Sequence, residues 1–354
     1  MPMSTQYRYS HTIGFYAQNG RGFNNPVDVA LGRNGVFYVL NRAGSDIELR
    51  MPYKRVTMCT LEEDYLGEFS GGGTGDGQLM WPAALAIDAE GNVYISDEAL
   101  QRVSIFDSQG RFLDKWGSKG SGAGEFNRPA GLAFDGDQQL LVVDGLNNRI
   151  QRYTKDGRFL GQWGKGGRGP GGLNLPWGIA VDRAGDVYVA DWRNDRLQKF
   201  DAEGRYLASY GTSGRGDGEF SRPSGVAVDG EGYIYVADWG NERVQVLSPD
   251  GTFVAKLRGE SGLSKWGESY FIANQDELAE RQRADLEPAL HLSPSDELRE
   301  ESGSIEKLFW GPVAVKVDDP GRLYVVESCR HRIQVYRKAA NDAGGKAIGG
   351  LDED

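Results

Sequence analysis

Cysteine, long apolar runs and secretory features are scarce in this sequence, and each shortage excludes a class of protein. The only two cysteines, Cys59 and Cys329, are too few for a disulfide framework. No apolar run approaches the roughly 18 residues that a membrane-spanning helix needs. The first ten residues, MPMSTQYRYS, lack the cationic start and apolar stretch of a signal peptide. We therefore expect a cytoplasmic protein without membrane attachment and with two free thiols.

Basic residues are also too few to suggest a nucleic-acid-binding protein. The chain has 40 Lys and Arg against 51 Asp and Glu, a formal net charge of −11. Much of the acid lies in residues 259–311, which hold 12 acidic and 5 basic residues, and in the final LDED. Because phosphate neutralisation needs clustered Lys and Arg, we expect no nucleic-acid partner.

Glycine, by contrast, is abundant and marks an internal repeat. The 51 glycines are about twice the average usage, which indicates many tight turns. One block recurs, close to P-x-G-I-A-V-D-x-x-G-x-V-Y-V-A-D-x-x-N-x-R-I-Q-x-F, followed by a Gly-rich stretch. Its leading prolines are Pro26, Pro82, Pro129, Pro176, Pro223 and Pro312. From Pro82 to Pro223 the step is 47 residues three times in succession.

Each repeat predicts four short strands separated by Gly-containing hairpin turns. In the fourth repeat the strands are GIAVD, DVYVA, RLQKF and RYLASYG. Strands that are apolar on both faces are typical of small sheets packed between neighbouring sheets. Repeated four-stranded units of this length predict a β-propeller, here with six blades.

The repeat resembles the NHL-repeat family, and Arg330-His331-Arg332-Ile333-Gln334 matches its N-H-R-I-Q segment except for Arg330. The sixth repeat has only three strands, and Arg8 to Pro26 aligns without gaps on Arg111 to Pro129. We therefore predict an all-β propeller over residues 7–338, in which the N-terminal strand completes the last blade and closes the ring. Residues 339–354 are expected to form a disordered acidic tail.

Two insertions interrupt the repeat on the same predicted face. Nine extra residues lie between Asn41 and Arg55, and 42 extra residues follow Leu257, within the segment 259–311. The longer insertion predicts one helix beginning at Asn274 and stopping before Pro288, and a second over SPSDELREES. Aromatic residues beside these helices are candidate anchors: Trp266, Tyr270, Phe271, Phe309 and Trp310. We expect this segment to act as a lid over the channel mouth.

Departures from the repeat, rather than repeated residues, indicate the candidate site. The Asp and Arg that recur in every blade are expected to hydrogen-bond within the loops. The innermost strands carry Gly or Ala near the axis, but Asp28 in blade 1 and Lys316 in blade 6. These two residues are candidate catalytic groups, and an ion pair between them is the structural alternative. The strand-ending Asp becomes Asn41 in blade 1 and Glu327 in blade 6.

Further candidates would contact a ligand or hold a metal. Candidate ligand-binding residues on the same face are Arg330, His331, Trp177, Trp192 and Trp239. The resemblance implies two metal precedents, a multi-histidine zinc site in amidating lyases and a Glu, Asn and Asp cation site in gluconolactonase-type propellers. The chain has three histidines and does not match the first, whereas Asp28, Asn41 and Glu327 could imitate the second around Ca²⁺ or a similar cation.

Two classes of function fit these observations. The first is a monomeric binding module that holds a small molecule, peptide or glycan at the lidded channel face. The second is a hydrolase or lyase whose catalytic residues would be Asp28, Lys316 and Glu327, with a divalent cation as the candidate cofactor. We place the site between blades 6, 1 and 2 in either case.

Overall fold

The computed structural model describes residues 7–32, 35–44, 53–292 and 297–339. Six four-stranded antiparallel sheets follow one another around a central axis. Each sheet is a meander, so that its first strand lies innermost and its fourth strand lies on the rim. The all-β propeller that the repeat predicts is therefore confirmed.

Blades 1 to 3 follow the predicted four-strand pattern. The strands of blade 1 are Pro26–Leu31, Val36–Asn41, Arg55–Thr60 and Tyr65–Phe69. Those of blade 2 are Pro82–Ile87, Val93–Asp97, Arg102–Phe106 and Phe112–Trp116. Those of blade 3 are Pro129–Phe134, Leu140–Asp144, Arg149–Tyr153 and Phe159–Trp163.

Blades 4 and 5 repeat the same arrangement, and blade 6 is assembled from both ends of the described chain. The strands of blade 4 are Ile179–Val181, Val187–Asp191, Arg196–Phe200 and Tyr206–Tyr210. Those of blade 5 are Pro223–Val228, Ile234–Asp238, Arg243–Leu247 and Phe253–Leu257. Those of blade 6 are Pro312–Val317, Arg322–Glu327 and Arg332–Lys338, with Tyr7–Ile13 as the outer strand.

The N-terminal strand closes the ring as predicted. It pairs antiparallel with the third strand of blade 6, from Tyr7 opposite Lys338 to Ile13 opposite Ile333. Blades 6 and 1 then share a buried apolar cluster, in which the rings of Phe37 and Tyr324 lie 5.1 Å apart. The pairing covers the edge of the third strand of blade 6, and the shared cluster joins the two ends of the repeat.

The innermost strands leave almost no space along the axis. A Cβ atom on Gly131 would lie 2.5 Å from the carbonyl oxygen of Trp177, so only glycine fits there. The Gly131 N–H donates to that same oxygen at 2.9 Å. The axial cavity measures about 30 Å³, enough for one or two water molecules. In this structure the axis has no room for a ligand much larger than water.

Loops of two kinds meet on one face, which we call the upper face. They are the loops between second and third strands and the Gly-rich loops that connect consecutive blades. Asn147 of the first kind donates to the Gly120 carbonyl of the second kind at 2.9 Å. Asn194 and Asn241 make the equivalent bonds in blades 4 and 5.

The long insertion contains three helices, α1 (Lys265–Ala273), α2 (Gln275–Arg283) and α3 (Glu297–Ser304). Helices α2 and α3 match the two predicted helices, whereas α1 was not predicted. Trp266 of α1 is buried and donates to the Glu63 carbonyl at 2.6 Å. Glu63 also accepts from the Gly14 N–H at 2.7 Å, so α1 docks where the N-terminal strand meets blade 1.

Both cysteines are free, which confirms the predicted thiols. The insertion between Asn41 and Arg55 and the acidic tail fall largely outside the described residues. No helix within the described ranges is long and apolar enough to cross a membrane.

Candidate functional site

The repeated polar residues hold the upper loops together. In blade 3 the Asp144 carboxylate accepts from Asn147 and Arg149, both at 2.8 Å, and from Gln151 at 3.0 Å. It also accepts from the backbone N–H of Asn127 at 2.7 Å. Burial raises the pKa of Asp144, and these donors oppose that shift by favouring the charged form. The network recurs at Asp191 and Asp238, as expected of a structural role.

Glu327 occupies the place of this aspartate in blade 6. Its buried carboxylate accepts from Arg332 and Gln334, each at 2.7 Å, and from the Trp310 N–H at 3.1 Å. In blade 3, Asp144 accepts from the residues at the same three repeat positions. Glu327 therefore holds its own blade and upper loop, and the structure does not support its candidate catalytic role.

Asp28 and Lys316 face each other near the axis. Their carboxylate and ammonium groups lie 3.1 Å apart. The other oxygen of Asp28 accepts from the backbone N–H of Leu85 in blade 2 at 3.0 Å. Asp28 is buried and thus links the innermost strands of blades 6, 1 and 2. The structural ion pair, rather than a catalytic pair, accounts for both charges.

The three candidate cation ligands do not fit a cation site. The Asn41 side-chain oxygen accepts from the Asn24 N–H at 2.8 Å, and its amide donates to Thr57 at 3.0 Å. Asp28 and Glu327 are engaged in the separate networks described above, so the three do not share a coordination centre. The described part of the chain contains no group of three or more His, Cys, Asp or Glu that could hold a metal ion.

Arg330 anchors the insertion and does not line an open site. Its guanidinium donates to three carbonyl oxygens at the end of α3 and beyond it, those of Ser302, Gly303 and Ile305. It also lies 5.4 Å from the ring centre of Trp310. Burial lowers the pKa of Arg330. The candidate ligand-binding role is therefore replaced by a positioning role for α3.

His331 forms the junction between blades 6 and 1. Its Nδ1 accepts from the Asn25 N–H at 2.8 Å, and its ring packs against Tyr16 at 4.9 Å. Burial lowers the pKa of His331, and the accepting nitrogen requires the neutral ring. In the junction of blades 3 and 4, Asn148 accepts the equivalent bond from Leu175. His331 thus holds the junction between blades 6 and 1.

Around the mouth of the axis, two repeat positions meet across each blade boundary. The residue after the strand-ending position in one blade packs on the residue before the proline of the next. At the first boundary, Arg42 lies 5.0 Å from the ring centre of Trp81. At the second, Arg128 donates to Glu98 at 2.7 Å. Glu98 is buried and also accepts from Arg42 at 3.0 Å, so both cations are neutralised.

The same positions in blades 4 and 5 carry Trp192 and Trp239 instead of a carboxylate. Arg222 lies 5.0 Å and Arg193 5.8 Å from the ring centre of Trp192. The ring of Trp239 lies 6.4 Å from that of Trp192. Two of the three tryptophans in the candidate ligand-binding set are therefore brought together. Trp177 instead lines the axial cavity.

Trp239 receives its arginine from the insertion. The residue before the proline of blade 6 is Gly311, which has no side chain to offer, and Arg299 of α3 lies 5.5 Å from the Trp239 ring centre. Arg299 also pairs with buried Glu242 at 2.5 Å. Burial raises the pKa of Glu242, and its bonds to Gly311 and Arg299 oppose that shift. The guanidinium of Arg299 is therefore held in place.

Two depressions flank these tryptophans. A groove of about 640 Å³ beneath α3 is lined by Arg215, Leu298, Arg299 and Trp310, among others. A smaller one of about 240 Å³ is lined by Arg168, Arg193, Asp195 and Arg196, among others. We call this region the Trp–Arg face; it consists of Trp192, Trp239, Arg168, Arg193, Arg215, Arg222 and Arg299. All five of these arginines are exposed.

The sequence alone did not identify the arginines of this face. Arg222 had no distinguishing signal, because the residue before the proline varies among the repeats and is also an arginine, Arg128, in blade 3. Arg299 had none, since its position depends on how the insertion folds back over blade 5. The described side chains favour the upper face of blades 4 and 5 over the mouth between blades 6, 1 and 2 as the candidate site.

Comparison with known families agrees with this architecture. A six-bladed β-propeller model matches residues 84–162, and the NHL-repeat model matches residues 173–200, 220–247 and 309–336. The chain is an NHL-repeat six-bladed β-propeller. No curated protein matches this sequence.

Solved structures resemble the NHL propeller in fold at low identity. A protein of unknown function from Bacteroides thetaiotaomicron has a TM-score of 0.60 at 15% identity, covering 94% of this chain and 75% of that one. A catalytically inactive virginiamycin B lyase from Staphylococcus aureus with quinupristin has a TM-score of 0.55 at 11% identity, covering 94% and 100%. A streptogramin B lyase has a TM-score of 0.56 at 11% identity, covering 96% and 100%. At these identities the likeness extends to the fold alone.

Proposed function

We propose that this NHL propeller is a binding module that holds an anionic ligand on its Trp–Arg face. One observation carries the proposal: Arg193 and Arg222 stack on Trp192, and neither has an ion-pair partner among the described side chains. A cluster of exposed cations in a chain with a net charge of −11 is a local feature that overall composition does not explain. Counter-charge from a ligand would complete it.

Stacking on tryptophan prepares an arginine for this role. A guanidinium that lies over an aromatic ring can still donate from its in-plane N–H groups. Those groups match the two oxygens of a carboxylate or the oxygens of a phosphate. Because the tryptophan restricts the side chain before binding, less conformational entropy is lost when the anion binds.

The alternative, a hydrolase or lyase, has less support from the described side chains. Its candidate residues Asp28, Lys316 and Glu327 are engaged in internal ion pairs and hydrogen bonds. The histidines do not supply a general base at the mouth either. His11 lies in the outer strand of blade 6, His291 lies in the insertion, and His331 accepts a backbone hydrogen bond. Binding without turnover is the better supported function.

Titration of the full chain with citrate and inorganic phosphate, followed by calorimetry and tryptophan fluorescence, tests the proposal. We expect R222A to weaken citrate binding at least tenfold, since a charge-assisted hydrogen bond contributes about 1.5–3 kcal/mol. R42A is the matched control, because Arg42 stacks on Trp81 in the same way but is already neutralised by Glu98. Citrate binding that is absent, or equal in R222A and the wild type, would overturn the proposal.

A further inference from the structure

We infer that blade 2 encloses a binding site for a water molecule between the side chains of Arg102 and Ser104. The site lies beneath the Gly-rich loop that joins blades 1 and 2, and it does not depend on the proposed anion site. Two departures from the repeat meet there, and the other blades show which hydrogen bonds those departures remove.

In blade 3 a buried glutamine ties the blade to its Gly-rich loop. Gln151 donates to the Glu125 carbonyl at 2.7 Å and accepts from the Gly124 N–H at 3.0 Å. Its amide also donates to the Asp144 carboxylate at 3.0 Å. The glutamines at the same position in blades 4 and 5 bond their own loops in the same way: Gln198 and Gln245. The repeat thus places one amide group beneath each of these loops.

In blade 2 this position holds Ser104, which is fully buried. Its hydroxyl has no hydrogen-bond partner within the part of the chain that the structure describes. The loop residues at the positions of Gly124 and Glu125 are Gly77 and Gln78. Serine is shorter than glutamine by more than the size of one water molecule, which occupies roughly 30 Å³ in the liquid. A water molecule can therefore stand where the other blades have the amide.

The arginine beside this serine has also lost a partner. In blade 2 the Asp97 carboxylate accepts from the backbone N–H groups of Met80 at 2.7 Å and of Ala99 and Leu100 at 3.0 Å. In blade 3 the equivalent aspartate accepts from the arginine Nε at 2.8 Å. The Nε of buried Arg102 has no such partner among the described groups. A buried N–H without an acceptor is costly, so this donor favours a bound water.

The groups around this position match water better than an ion. Water can accept from the Arg102 Nε, exchange a hydrogen bond with the Ser104 hydroxyl and donate to the Gln78 carbonyl. The Gln78 carbonyl lies close by, because Arg102 donates to it at 2.8 Å through a terminal nitrogen. Three partners are typical of a buried water. A cation would face the guanidinium, which has no acceptor, and a halide would face the lone pairs of the carbonyl.

Blade 1 shows the same position with its space already filled. Thr57 is as buried as Ser104, but it accepts from the Asn41 amide at 3.0 Å and donates to the Gly22 carbonyl at 3.3 Å. The short side chain of blade 1 is therefore compensated by a neighbouring side chain. Blade 1 supplies the matched control for a substitution in blade 2.

A crystal structure of the full chain, at a resolution that shows ordered water, tests the site directly. We expect density within hydrogen-bonding distance of the Arg102 Nε and the Ser104 Oγ. S104Q should displace this water and restore the amide of the other blades, so the equilibrium constant of unfolding should fall by about threefold. T57Q should raise that constant, because the Asn41 amide leaves no room for a longer side chain. Urea denaturation measures both changes.

Three results would overturn the inference. Absence of density beside the Arg102 Nε and the Ser104 Oγ would show that no water binds there. Destabilisation by S104Q equal to that by T57Q would show that blade 2 has no space for an amide and hence none for water. An anomalous peak at the site after soaking in bromide would identify a halide site instead.

Discussion

Glu98 and Trp192 occupy the same repeat position in blades 2 and 4, and they give the two sides of the mouth opposite properties. Glu98 is buried and neutralises Arg42 and Arg128. Trp192 offers only its ring to Arg222 and Arg193, whose charges therefore remain available. The repeat sets where each side chain points, and the residue at that position decides whether the neighbouring cation is neutralised.

This difference teaches where a ligand can gain free energy. On the Glu98 side, an incoming anion would have to compete with a buried carboxylate that is already bonded to both arginines. On the Trp192 side, the Asp195 carboxylate accepts from the backbone N–H of Arg222 and from Ser213, both at 2.7 Å, and forms no ion pair with the guanidinium of Arg222 or Arg193. For locating a binding site, a residue that departs from the repeat is thus less informative than a charged side chain that has no ion-pair partner in the fold.

Removal of the neutralising carboxylate has the largest expected effect on stability. E98Q leaves two partly buried arginines without their counter-charge, and we expect a loss of about 2 kcal/mol in the free energy of unfolding. Urea denaturation followed by tryptophan fluorescence measures this loss. The freed Arg42 and Arg128 should also add citrate binding on this side of the mouth.

D217N is the matched control for E98Q. Asp217 pairs with Lys256, and the two side chains are 49% and 50% exposed, so solvent screens the pair and its loss should cost less than about 1 kcal/mol. Equal losses in the two variants would mean that Glu98 behaves as a surface residue. The contrast between the two sides of the mouth would then be wrong.

The converse substitution should abolish binding with little effect on the fold. W192E places a carboxylate beside Arg222, as Glu98 stands beside Arg128, and we expect citrate affinity to fall at least tenfold. The free energy of unfolding should change by less than about 1 kcal/mol, because Trp192 is only partly buried. Calorimetry and urea denaturation measure the two effects.

W192F is the control for this substitution. It keeps an aromatic ring under the guanidinium groups and adds no carboxylate, so it should retain most of the citrate affinity. If W192F weakens binding as much as W192E does, the indole ring itself contacts the ligand. Neutralisation of Arg222 would then not be the cause of the loss.

The repeat explains why the fold could be predicted and the site could not. A step of 47 residues fixes the strands and the closing role of Tyr7–Ile13, since each can be compared with equivalents in other blades. The same comparison misassigned Glu327, because a departure from Asp was taken as functional. Glutamate is one methylene longer, and it still bonds Arg332 and Gln334 as the aspartates do.

The insertion has no equivalent with which it can be compared. Helix α1 was missed because long-range contacts stabilise it, such as the packing of Phe15 against Tyr270 at 5.1 Å. Glu63, which docks α1, replaces the turn glycine of other blades, so it was a detectable departure whose partner the sequence did not reveal. The position of Arg299 depends on the same long-range packing of the insertion, so the sequence did not predict it either.

The smallest expected effect concerns two blade junctions. His331 accepts a backbone hydrogen bond at the junction of blades 6 and 1, and Asn148 accepts the equivalent bond at the junction of blades 3 and 4. Burial lowers the folded-state pKa of His331 below its ordinary value of 6.5. The unfolded chain therefore binds a proton more readily as pH falls below about 6.5, and the free energy of unfolding falls with it. Stability from this residue is complete above pH 6.5 and is lost as pH falls through the lowered folded-state pKa. In the protonated ring Nδ1 can no longer accept from Asn25.

His331 and Asn148 have nearly the same left-handed backbone, with φ of 56° and 55°, so H331N should preserve the junction bond. We expect H331N to reduce the loss of stability between pH 7 and pH 5 by about 1 kcal/mol, the contribution of one hydrogen bond. Urea denaturation at both pH values measures it. Burial also lowers the pKa of His11, so some dependence on pH should persist. An unchanged difference between pH 7 and pH 5 in H331N would show that the neutral ring of His331 does not hold this junction.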